Sequence, residues 1–470
     1  MNKDIKIKRI CCIGAGYVGG PSMAVIADKC PDILVNVVDI NEERVSQWNS
    51  HDTSCLPIYE PGLEEIIKRC RGKNLHFSTE IKKHISEADM VFISVNTPTK
   101  TKGIGAGKAS DLKWVESSAR QISEHAKGFT IVVEKSTLPV KTAQTIKEIL
   151  EFSNKNAQKN RFSVLSNPEF LAEGTAINDL NHPDRVLIGG EDDVSIDKLI
   201  KIYLNWVPKE KIITTNLWSS ELSKLISNAF LAQRISSINS VTALCETTGA
   251  DIKEVAEAIK SDHRIGKYFL EPGPGFGGSC FKKDILNLVY ICDHYGLKQI
   301  SSYWEKVIDI NNWQSERILN IIIEKLFGTV SGKTISILGF AFKANTNDTR
   351  ESPAIKICKG LLEEGCNLQI YDPKVNQEQI EKQLDCPPDS DFLKNQWTFS
   401  KSIYDSASAA DAIIVLTEWN QFKYIDWEIF ASKMRCPAWL FDTRSICNLS
   451  EAKKYGLNIW RVGADPDMIN

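Results

Sequence analysis

The chain has 470 residues, of which 42% are hydrophobic and 25% charged, as is typical of a globular protein with two to four domains. Its net charge of −3 argues against nucleic acid or an anionic membrane as a partner, although a small polyanionic substrate needs only a few local cations. Neither a signal peptide nor an apolar run of membrane-spanning length occurs, so we expect a cytoplasmic protein. The thirteen cysteines and seven histidines are irregularly spaced, which predicts reduced thiols and no metal site.

The first third of the sequence alternates short β-rich runs with helical patterns, and turn residues separate them. This βαβα rhythm predicts a parallel sheet with helices on both faces. The runs are RICCIGAG at 9–16, ILVNVVDIN at 33–41, DMVFISVNTP at 89–98, FTIVVEKST at 129–137, FSVLSNPEF at 162–170 and RVLIGG at 185–190.

A dinucleotide-binding motif follows the first of these strands. Gly14, Gly16 and Gly19 form G-x-G-x-x-G between a strand and a helix, and Asp39 ends the next strand 20 residues after Gly19. Such glycines allow a tight turn, the approach of a pyrophosphate to the helix N-terminus, and close helix packing. Asp39 would accept the ribose hydroxyls and repel a 2′-phosphate, which favours NAD over NADP. The alternative is an ordinary glycine turn at a strand–helix junction.

Around Trp218 the pattern changes to long helices. We expect one unusually long helix, capped by the two serines before Glu221, with an apolar stripe along one face. The stripe comprises Leu222, Leu225, Ile226, Ala229 and Phe230. So apolar a helix predicts a homodimer, or dimers within a homohexamer.

From Lys333 the strand rhythm returns, with TISILGF at 334–340, NLQIYDP at 367–373, AIIVLTEW at 412–419 and AWLFDTR at 438–444. The fold class predicted is therefore α/β, with two Rossmann-like doubly wound domains at 1–217 and 331–470 joined by a central helical domain at 218–330. The polar segment between Gln377 and Asn395 is interpreted as a surface excursion. A single glycine after the first strand, Gly339, leaves open whether this second domain binds a nucleotide or is purely structural.

A glycine-rich loop at 273–279 leads to Cys280 at the start of a predicted helix. Glycines at this density suggest that the backbone closely approaches another group, and a helix N-terminus favours the reactive thiolate. Asp284 lies one turn later and could position a water. A nucleophilic thiol beside a dinucleotide fold suggests oxidation of an aldehyde through a thiohemiacetal and a thioester. The alternative is a buried structural cysteine.

Over essentially its whole length the chain resembles the UDP-glucose/GDP-mannose dehydrogenase family, and several motifs look like those of its eukaryotic members. The motifs occur in the family's order. They are GAGYVGGP, SVNTPTKT, EKSTLPV, SNPEFLAEGTA, HPDRVLIGG, WSSELSKL, NAFLAQRISSIN, GFGGSCFKKD, LGFAFK, NDTRES and IYDPKV.

The resemblance implies roles for matching positions. Cys280 is similar to the family's nucleophile, Lys224 to the lysine that stabilises an oxyanion with Asn228, Asp284 and Thr137 to a water-holding pair, and Glu169 to an acid/base group. Positions implied to bind NAD are Gly14, Ala15, Gly16, Tyr17, Val18, Gly19, Asp39, Arg44, Val95, Asn96, Thr97, Pro98, Thr99, Ser136, Thr137, Glu173 and Arg350. Positions implied to bind the sugar nucleotide are Glu169, Phe170, Leu171, Ala172, Glu173, Lys224, Asn228, Arg264, Phe269, Gly273, Phe276, Gly277, Cys280, Phe342, Lys343 and Arg444.

The implied reaction is the NAD-dependent four-electron oxidation of UDP-glucose to UDP-glucuronate. A related dehydrogenase acting on a UDP-hexosamine or GDP-mannose is the first alternative, and a non-catalytic NAD-binding scaffold is the second. The sequence has no polar tail like that of the vertebrate members, so we expect no behaviour that depends on one. In an oligomer, Arg264 is expected to reach a neighbour's site.

Overall fold

The computed structural model describes residues 6–136, 139, 141–152, 162–385 and 396–464. They form two compact units: residues up to 227 together with 286–296, and residues 228–285 together with those from 297 onward. Thr137, which the resemblance places in the site, lies outside the described residues.

The first unit contains an eight-stranded sheet in the order β3-β2-β1-β4-β5-β6-β7-β8. All pairings are parallel except β6 with β7, which meet antiparallel at Ser166 and Gly189. The strands are β1 (Arg9–Ile13), β2 (Leu34–Val38), β3 (Leu75–Ser78), β4 (Met90–Ile93), β5 (Thr130–Glu134), β6 (Phe162–Ser166), β7 (Val186–Gly189) and β8 (Ile212–Thr215).

Helices cover both faces of this sheet, which explains why its central strands are largely apolar: four of the five residues of β1 and all of β4 and β5 are buried. The strand order reverses between β1 and β4, where open α/β sheets bind their ligands. The helices are α1 (Gly19–Lys29), α2 (Glu42–Asn49), α3 (Leu63–Cys70), α4 (Ile81–Glu87), α5 (Lys113–His125), α6 (Thr142–Phe152), α7 (Ala176–Asn181) and α8 (Asp193–Tyr203).

A run of helices follows β8: α9 (Leu217–Thr248), α10 (Ile252–Lys260), α11 (Phe281–His294) and α12 (Lys298–Lys325). The long helix was predicted, but its predicted capping residues were wrong. It begins before the two serines, and Asn216 caps it by accepting a hydrogen bond from the Ser219 amide at 2.8 Å. Two residues of the apolar stripe, Leu222 and Phe230, are 40% and 56% exposed.

The second unit contains a six-stranded parallel sheet in the order β11-β10-β9-β12-β13-β14. Its strands are β9 (Thr334–Leu338), β10 (Asn367–Tyr371), β11 (Trp397–Phe399), β12 (Ala412–Val415), β13 (Trp439–Asp442) and β14 (Asn458–Arg461), and its helices are α13 (Pro353–Glu363), α14 (Gln377–Leu384), α15 (Trp427–Lys433) and α16 (Leu449–Lys454). Two doubly wound sheets separated in sequence by a helical segment confirm the predicted fold class.

The segment interpreted as a surface excursion is partly helical. Asn376 caps α14 by accepting from the Gln379 amide at 2.9 Å, and the Gln379 side chain accepts from the Asn376 amide at 3.1 Å. This reciprocal capping box accounts for the helix. The remainder of the interpreted segment, 386–395, lies outside the described residues.

Candidate active site

The glycine turn after β1 has the geometry that its sequence predicts. Gly14 has φ +106°, which a side chain rarely adopts, and its amide donates to the Val38 carbonyl at 2.8 Å. A Cβ at Gly19 would collide with the Gly14 carbonyl oxygen, so this glycine is needed for packing. A Cβ at Gly16 would meet no described atom within 4 Å. The turn therefore leaves open space at the position where the motif brings a pyrophosphate close to the backbone.

Asp39 is held in place at the end of β2. Its carboxylate accepts from the Ala15 amide at 2.9 Å, from the Asn41 amide at 3.0 Å and from the Arg44 guanidinium at 3.1 Å. These bonds fix both oxygens beside the glycine turn. Two backbone amides and a guanidinium are suitable partners for an ionised carboxylate. A dinucleotide fits this site if its ribose hydroxyls donate to Asp39.

The segments after β4 and β5 lie at the same edge of the sheet. Ser136 donates to the Val95 carbonyl at 2.8 Å, which ties the start of the 95–99 segment to the end of β5. Ser94, which precedes that segment, closes over Gly14, where a Cβ would clash with the Ser94 carbonyl. These contacts bring together the glycine turn, Asp39, Arg44, Val95 and Ser136, which the resemblance assigns to NAD.

Glu169 and Glu173 lie on a loop, 167–175, called here the Glu169 loop. Taken without the resemblance, their spacing suggests a solvated helix start, but helix α7 begins only at Ala176. Glu60 anchors the loop by accepting from the Gly174 and Ala176 amides at 2.7 and 3.1 Å. Asp179 accepts from the Ala172 amide at 3.0 Å. The loop is therefore fixed by two carboxylates, of which Glu60 is buried, rather than by helical hydrogen bonds.

Glu169 forms an ion pair with Lys135, with 2.8 Å between Oε2 and Nζ. Burial alone would raise the pKa of Glu169, but the Lys135 ammonium, together with the Phe170 amide and Lys224, brings that pKa below its usual range. Burial likewise works to lower the pKa of Lys135, and the Glu169 carboxylate raises it overall. Both groups are consequently ionised at neutral pH.

Lys224 and Phe170 meet in the first unit. The Lys224 ammonium lies 5.2 Å from the centre of the Phe170 ring, and the Arg185 guanidinium lies 3.9 Å from it. Lys224 is buried on α9. A desolvated cation held over an aromatic ring is suited to stabilising an oxyanion.

In the second unit, the loop at 273–279, called here the glycine loop, is packed against protein. A Cβ at Gly277 would clash with the Glu351 carbonyl and Phe342, while the amide of Gly278 donates to the Arg350 carbonyl at 2.8 Å. Asn311 of α12 accepts from the Phe276 amide at 2.7 Å. The glycines are thus explained by close packing of the loop itself, which fixes the position of the residue that follows it.

That residue is Cys280, which immediately precedes α11 and is half-buried. Its carbonyl accepts from the Asp284 amide at 2.9 Å, and its thiol lies 3.4 Å from the Ser279 hydroxyl. The Asn228 amide nitrogen donates to Asp284 at 2.6 Å. The second unit thus brings together Cys280, Asp284 and Asn228, three of the predicted catalytic residues.

The second sheet repeats the turn of the first without the full glycine motif. Gly339 has φ +94°, and Asp372 accepts from the Phe340 and Ala341 amides at 2.7 and 3.0 Å and from Trp419 at 3.2 Å. Its other oxygen accepts from two further amides. Asp372 therefore accepts five hydrogen bonds from the protein, whereas Asp39 accepts three. Less of the Asp372 carboxylate is left for a ligand.

Two cations follow strands of the second sheet: Lys343 comes after β9, and Arg444 comes after β13 and pairs with Glu418 at 3.2 Å. Arg444 donates to the carbonyls of Leu416 and Phe342 at 2.8 and 3.2 Å, and Lys343 lies in the same segment as Phe342. Arg350, assigned to NAD by the resemblance, belongs to this unit and forms a fork on Asp348. The edge is suited to a phosphorylated ligand.

Arg264 and Phe269 lie on an exposed loop of the second unit. The Arg264 side chain is 79% exposed and pairs with Asp262, with 2.6 Å between the closest atoms. Arg234 of α9 holds the loop by donating to the carbonyls of Ile265, Gly266 and Tyr268, each at 2.9 Å.

Sequence reasoning missed Arg234, Glu60 and Lys135. Only Lys135 carried a usable signal, because a lysine directly after an apolar central strand stands at a ligand-binding edge.

Comparisons with known proteins agree with this architecture. A doubly wound sheet with this turn defines the class of dinucleotide-dependent dehydrogenases. The models of the UDP-glucose/GDP-mannose dehydrogenase family match residues 8–207 with the NAD binding domain, 218–313 with the central domain and 336–449 with the UDP binding domain. The chain belongs to the UDP-glucose/GDP-mannose dehydrogenase family.

Curated relatives and solved structures extend over the whole chain. It is 54% identical to UDP-glucose 6-dehydrogenase 4 of Arabidopsis thaliana, covering 98% of both chains. It is also 54% identical to UDP-glucose 6-dehydrogenase of Mus musculus, covering 98% of this chain and 94% of the mouse protein. A UDP-glucose dehydrogenase structure from Pyrobaculum islandicum matches with a TM-score of 0.83, 28% identity and 99% coverage of both chains.

Proposed function

We propose that the protein oxidises UDP-glucose to UDP-glucuronate with two NAD and one water. The observation that carries this is Cys280, set by a rigid loop at the start of α11 beside the hydrogen-bonded pair of Asn228 and Asp284. Relatives 54% identical over nearly the full chain are UDP-glucose 6-dehydrogenases. A thiol nucleophile is needed by an enzyme that carries an alcohol through to an acid, but not by one that stops at an aldehyde.

The first unit binds NAD at the glycine turn, with Asp39 accepting from the ribose. NAD supplies the hydride acceptor for both oxidations. The second unit binds the uridine diphosphate at the carboxyl edge of its sheet, where Lys343 and Arg444 provide positive charge. By the resemblance, Arg350 and Glu173 are also assigned to NAD.

The second oxidation is carried by the Cys280 thiolate. It adds to the aldehyde carbon and forms a C–S bond, giving a thiohemiacetal whose oxyanion Lys224 and Asn228 stabilise. Loss of hydride from that carbon gives a thioester. By the resemblance, Asp284 and Thr137 are the residues assigned to the water that attacks the carbonyl and Glu169 the one assigned to take its proton; the C–S bond then breaks to return the thiolate.

The test is the yield of NADH per molecule of sugar nucleotide. We expect two NADH and one UDP-glucuronate for each UDP-glucose consumed, measured by absorbance and product chromatography. GDP-mannose and a UDP-hexosamine serve as competing substrates because they represent the related dehydrogenases. A single NADH with accumulating aldehyde, or a higher kcat/KM with either competitor, rejects the proposal. NAD binding without any turnover supports the scaffold alternative.

We also propose that the protein is cytoplasmic and forms a homo-oligomer through α9. The oligomer is either a homodimer or a homohexamer built from such dimers. Its exposed apolar residues recur at helical spacing along one side. They are Trp218, Leu222, Phe230 and Leu244, which are between 40% and 61% exposed. Such a stripe on one helix is typical of an interface between subunits. Among the described residues no helix is long and apolar enough to cross a membrane.

A further inference from the structure

We propose that Lys135 is a positioning residue that keeps Glu169 ionised and fixed in orientation, and thereby makes Glu169 the proton acceptor in thioester hydrolysis. The inference rests on the proposed function and goes beyond it, because it assigns a task to a residue that does not touch the reacting atoms. Its starting point is the 2.8 Å ion pair between Lys135 and Glu169.

Lys135 is built into the first unit. It directly follows β5, and its side chain is only 1% exposed. Besides Glu169, the ammonium contacts the Asn167 side-chain oxygen at 3.2 Å and the Tyr203 hydroxyl at 3.3 Å. Tyr203 also donates to Asn167 at 2.6 Å, and Asn167 donates to the Leu187 carbonyl at 2.8 Å. The ammonium is therefore confined within a fixed set of acceptors.

This confinement determines the orientation of Glu169. One carboxylate oxygen is held by Lys135 and lies 3.4 Å from the Ser22 hydroxyl of α1. The other accepts from the Phe170 amide at 2.9 Å. Both oxygens act as acceptors, as suits an ionised carboxylate. Its side chain is 15% exposed, so a proton can reach it from one side.

Other charged groups near Glu169 play a smaller part. Lys224 of α9 also lowers its pKa, but less than Lys135 does, and Tyr203 of α8 faces the same ion pair. Arg185 is stacked on Phe170, and Asp179 is bonded to the loop backbone. Without Lys135, burial of the carboxylate would dominate and Glu169 would take up a proton.

The main test is Lys135→Met, which keeps much of the side-chain volume and removes the charge. We expect turnover at pH 7 to fall about 10²-fold, as for the loss of one acid/base group, and the acidic limb of the kcat profile to move at least one unit towards higher pH. A thioester on Cys280 should accumulate, visible in the intact mass after acid quenching. Lys135→Arg should restore the limb towards its original position.

Two further variants separate positioning from a merely structural role. In the Glu169→Gln background, Lys135→Met should cause no additional loss of hydrolysis, because its effect passes through Glu169. Lys147→Met is the matched control, since Lys147 pairs with Glu191 at the same 2.8 Å but on the surface, and it should leave the profile unchanged. An unmoved acidic limb in Lys135→Met, or an additive loss in the double variant, overturns the inference.

A stability measurement tests the ion pair without any substrate. The lowered pKa of Glu169 means that its stabilising effect is present above its unfolded pKa of about 4.3 and is lost as pH falls through the folded value. In Lys135→Met the pKa of the buried Glu169 should be raised instead of lowered, so its contribution to stability is lost as pH rises. The deficit in Tm relative to the unmodified protein should therefore grow from pH 5 to pH 8.5. This growth with pH should disappear in Lys135→Met/Glu169→Gln. A deficit independent of pH contradicts the inference, whereas failure of the parent to make acid refutes the proposed function alone.

Discussion

At the scale of single residues, Asp39 shows how a charge can select a cofactor. Its carboxylate is already oriented by the Ala15 and Asn41 amides, and Arg44 lies beside it at 3.1 Å. A 2′-phosphate entering here would meet a fixed negative charge. Preference for NAD is thus encoded in one side chain and the bonds that hold it.

Asp39→Asn should therefore relax the preference. The side-chain oxygen of asparagine can still accept a backbone hydrogen bond. The negative charge that repels the 2′-phosphate is removed, and Arg44 becomes able to pair with that phosphate. We expect the ratio of kcat/KM for NADP to that for NAD to rise about 10- to 100-fold, equivalent to roughly 1.4–3 kcal/mol. Adding Arg44→Ala should remove most of the gain. An unchanged ratio in Asp39→Asn would show that specificity lies elsewhere.

Residue identities at the site could be predicted better than their surroundings. The order of Gly14, Gly16, Gly19 and Asp39 follows from a local motif, and the structure gives each the geometry that the motif requires. The pairing of Lys135 with Glu169 joins positions 34 residues apart on different segments. A single sequence does not reveal which of its lysines is buried, so this contact could not be derived from it.

At the scale of elements, strands and helix interiors followed from periodicity, whereas helix ends depended on single hydrogen bonds. Asn216 rather than a serine caps α9, and the reciprocal bonds of Asn376 and Gln379 begin α14 inside a segment that looked like a loop. The Glu169 loop shows the opposite failure. The spacing of Glu169 and Glu173 suggests a helix, but no helix forms there because Glu60 accepts hydrogen bonds from the loop's backbone amides instead.

The start of α6 is joined to α9 by a pair of buried carboxyl groups. Glu221 accepts from the Lys141 and Ala143 amides, both at 2.7 Å, and its charge acts on the buried Glu134 carboxyl. Burial, and next the Glu221 charge, raise the pKa of Glu134, and burial also raises the pKa of Glu221. The pair therefore retains a proton in the folded state at a pH where the unfolded chain has lost it.

Glu134→Gln should make the protein more stable at high pH. A raised folded pKa contributes stability that is present below the unfolded pKa of about 4.3 and is lost as pH rises through the folded value. Glutamine can donate to Glu221 without needing a proton from solvent, so the gain in Tm over the parent should widen from pH 5 to pH 9. The exposed Glu148→Gln on α6 is the control. A gain that stays constant across this range would refute the shared proton.

At the scale of the whole molecule, the apolar side of α9 predicts self-association. Leu222→Glu places a charge on the exposed stripe and should shift the protein towards monomers in sedimentation velocity at micromolar concentration, weakening the association at least about tenfold. Ile104→Glu, at a position 85% exposed on a loop, should leave the assembly unchanged. A parent protein that is strictly monomeric and fully active contradicts this prediction.

If a single thiol carries the second oxidation, Cys280→Ala should abolish it. The fold and NAD binding should persist, because Cys280 is a half-buried loop residue and the glycine turn belongs to the first unit. Cys55→Ala, which removes an exposed thiol, is the control and should behave like the parent.

NADH and UDP-glucuronate should be measured together in single-turnover and steady-state assays of Cys280→Ala. We expect acid formation to fall by more than the ~10²–10⁴-fold typical of losing one acid/base group, because no thioester can form. Slow oxidation to the aldehyde should persist with one NADH per sugar. Formation of UDP-glucuronate at a near-parental rate would contradict covalent catalysis and make Cys280 a structural residue.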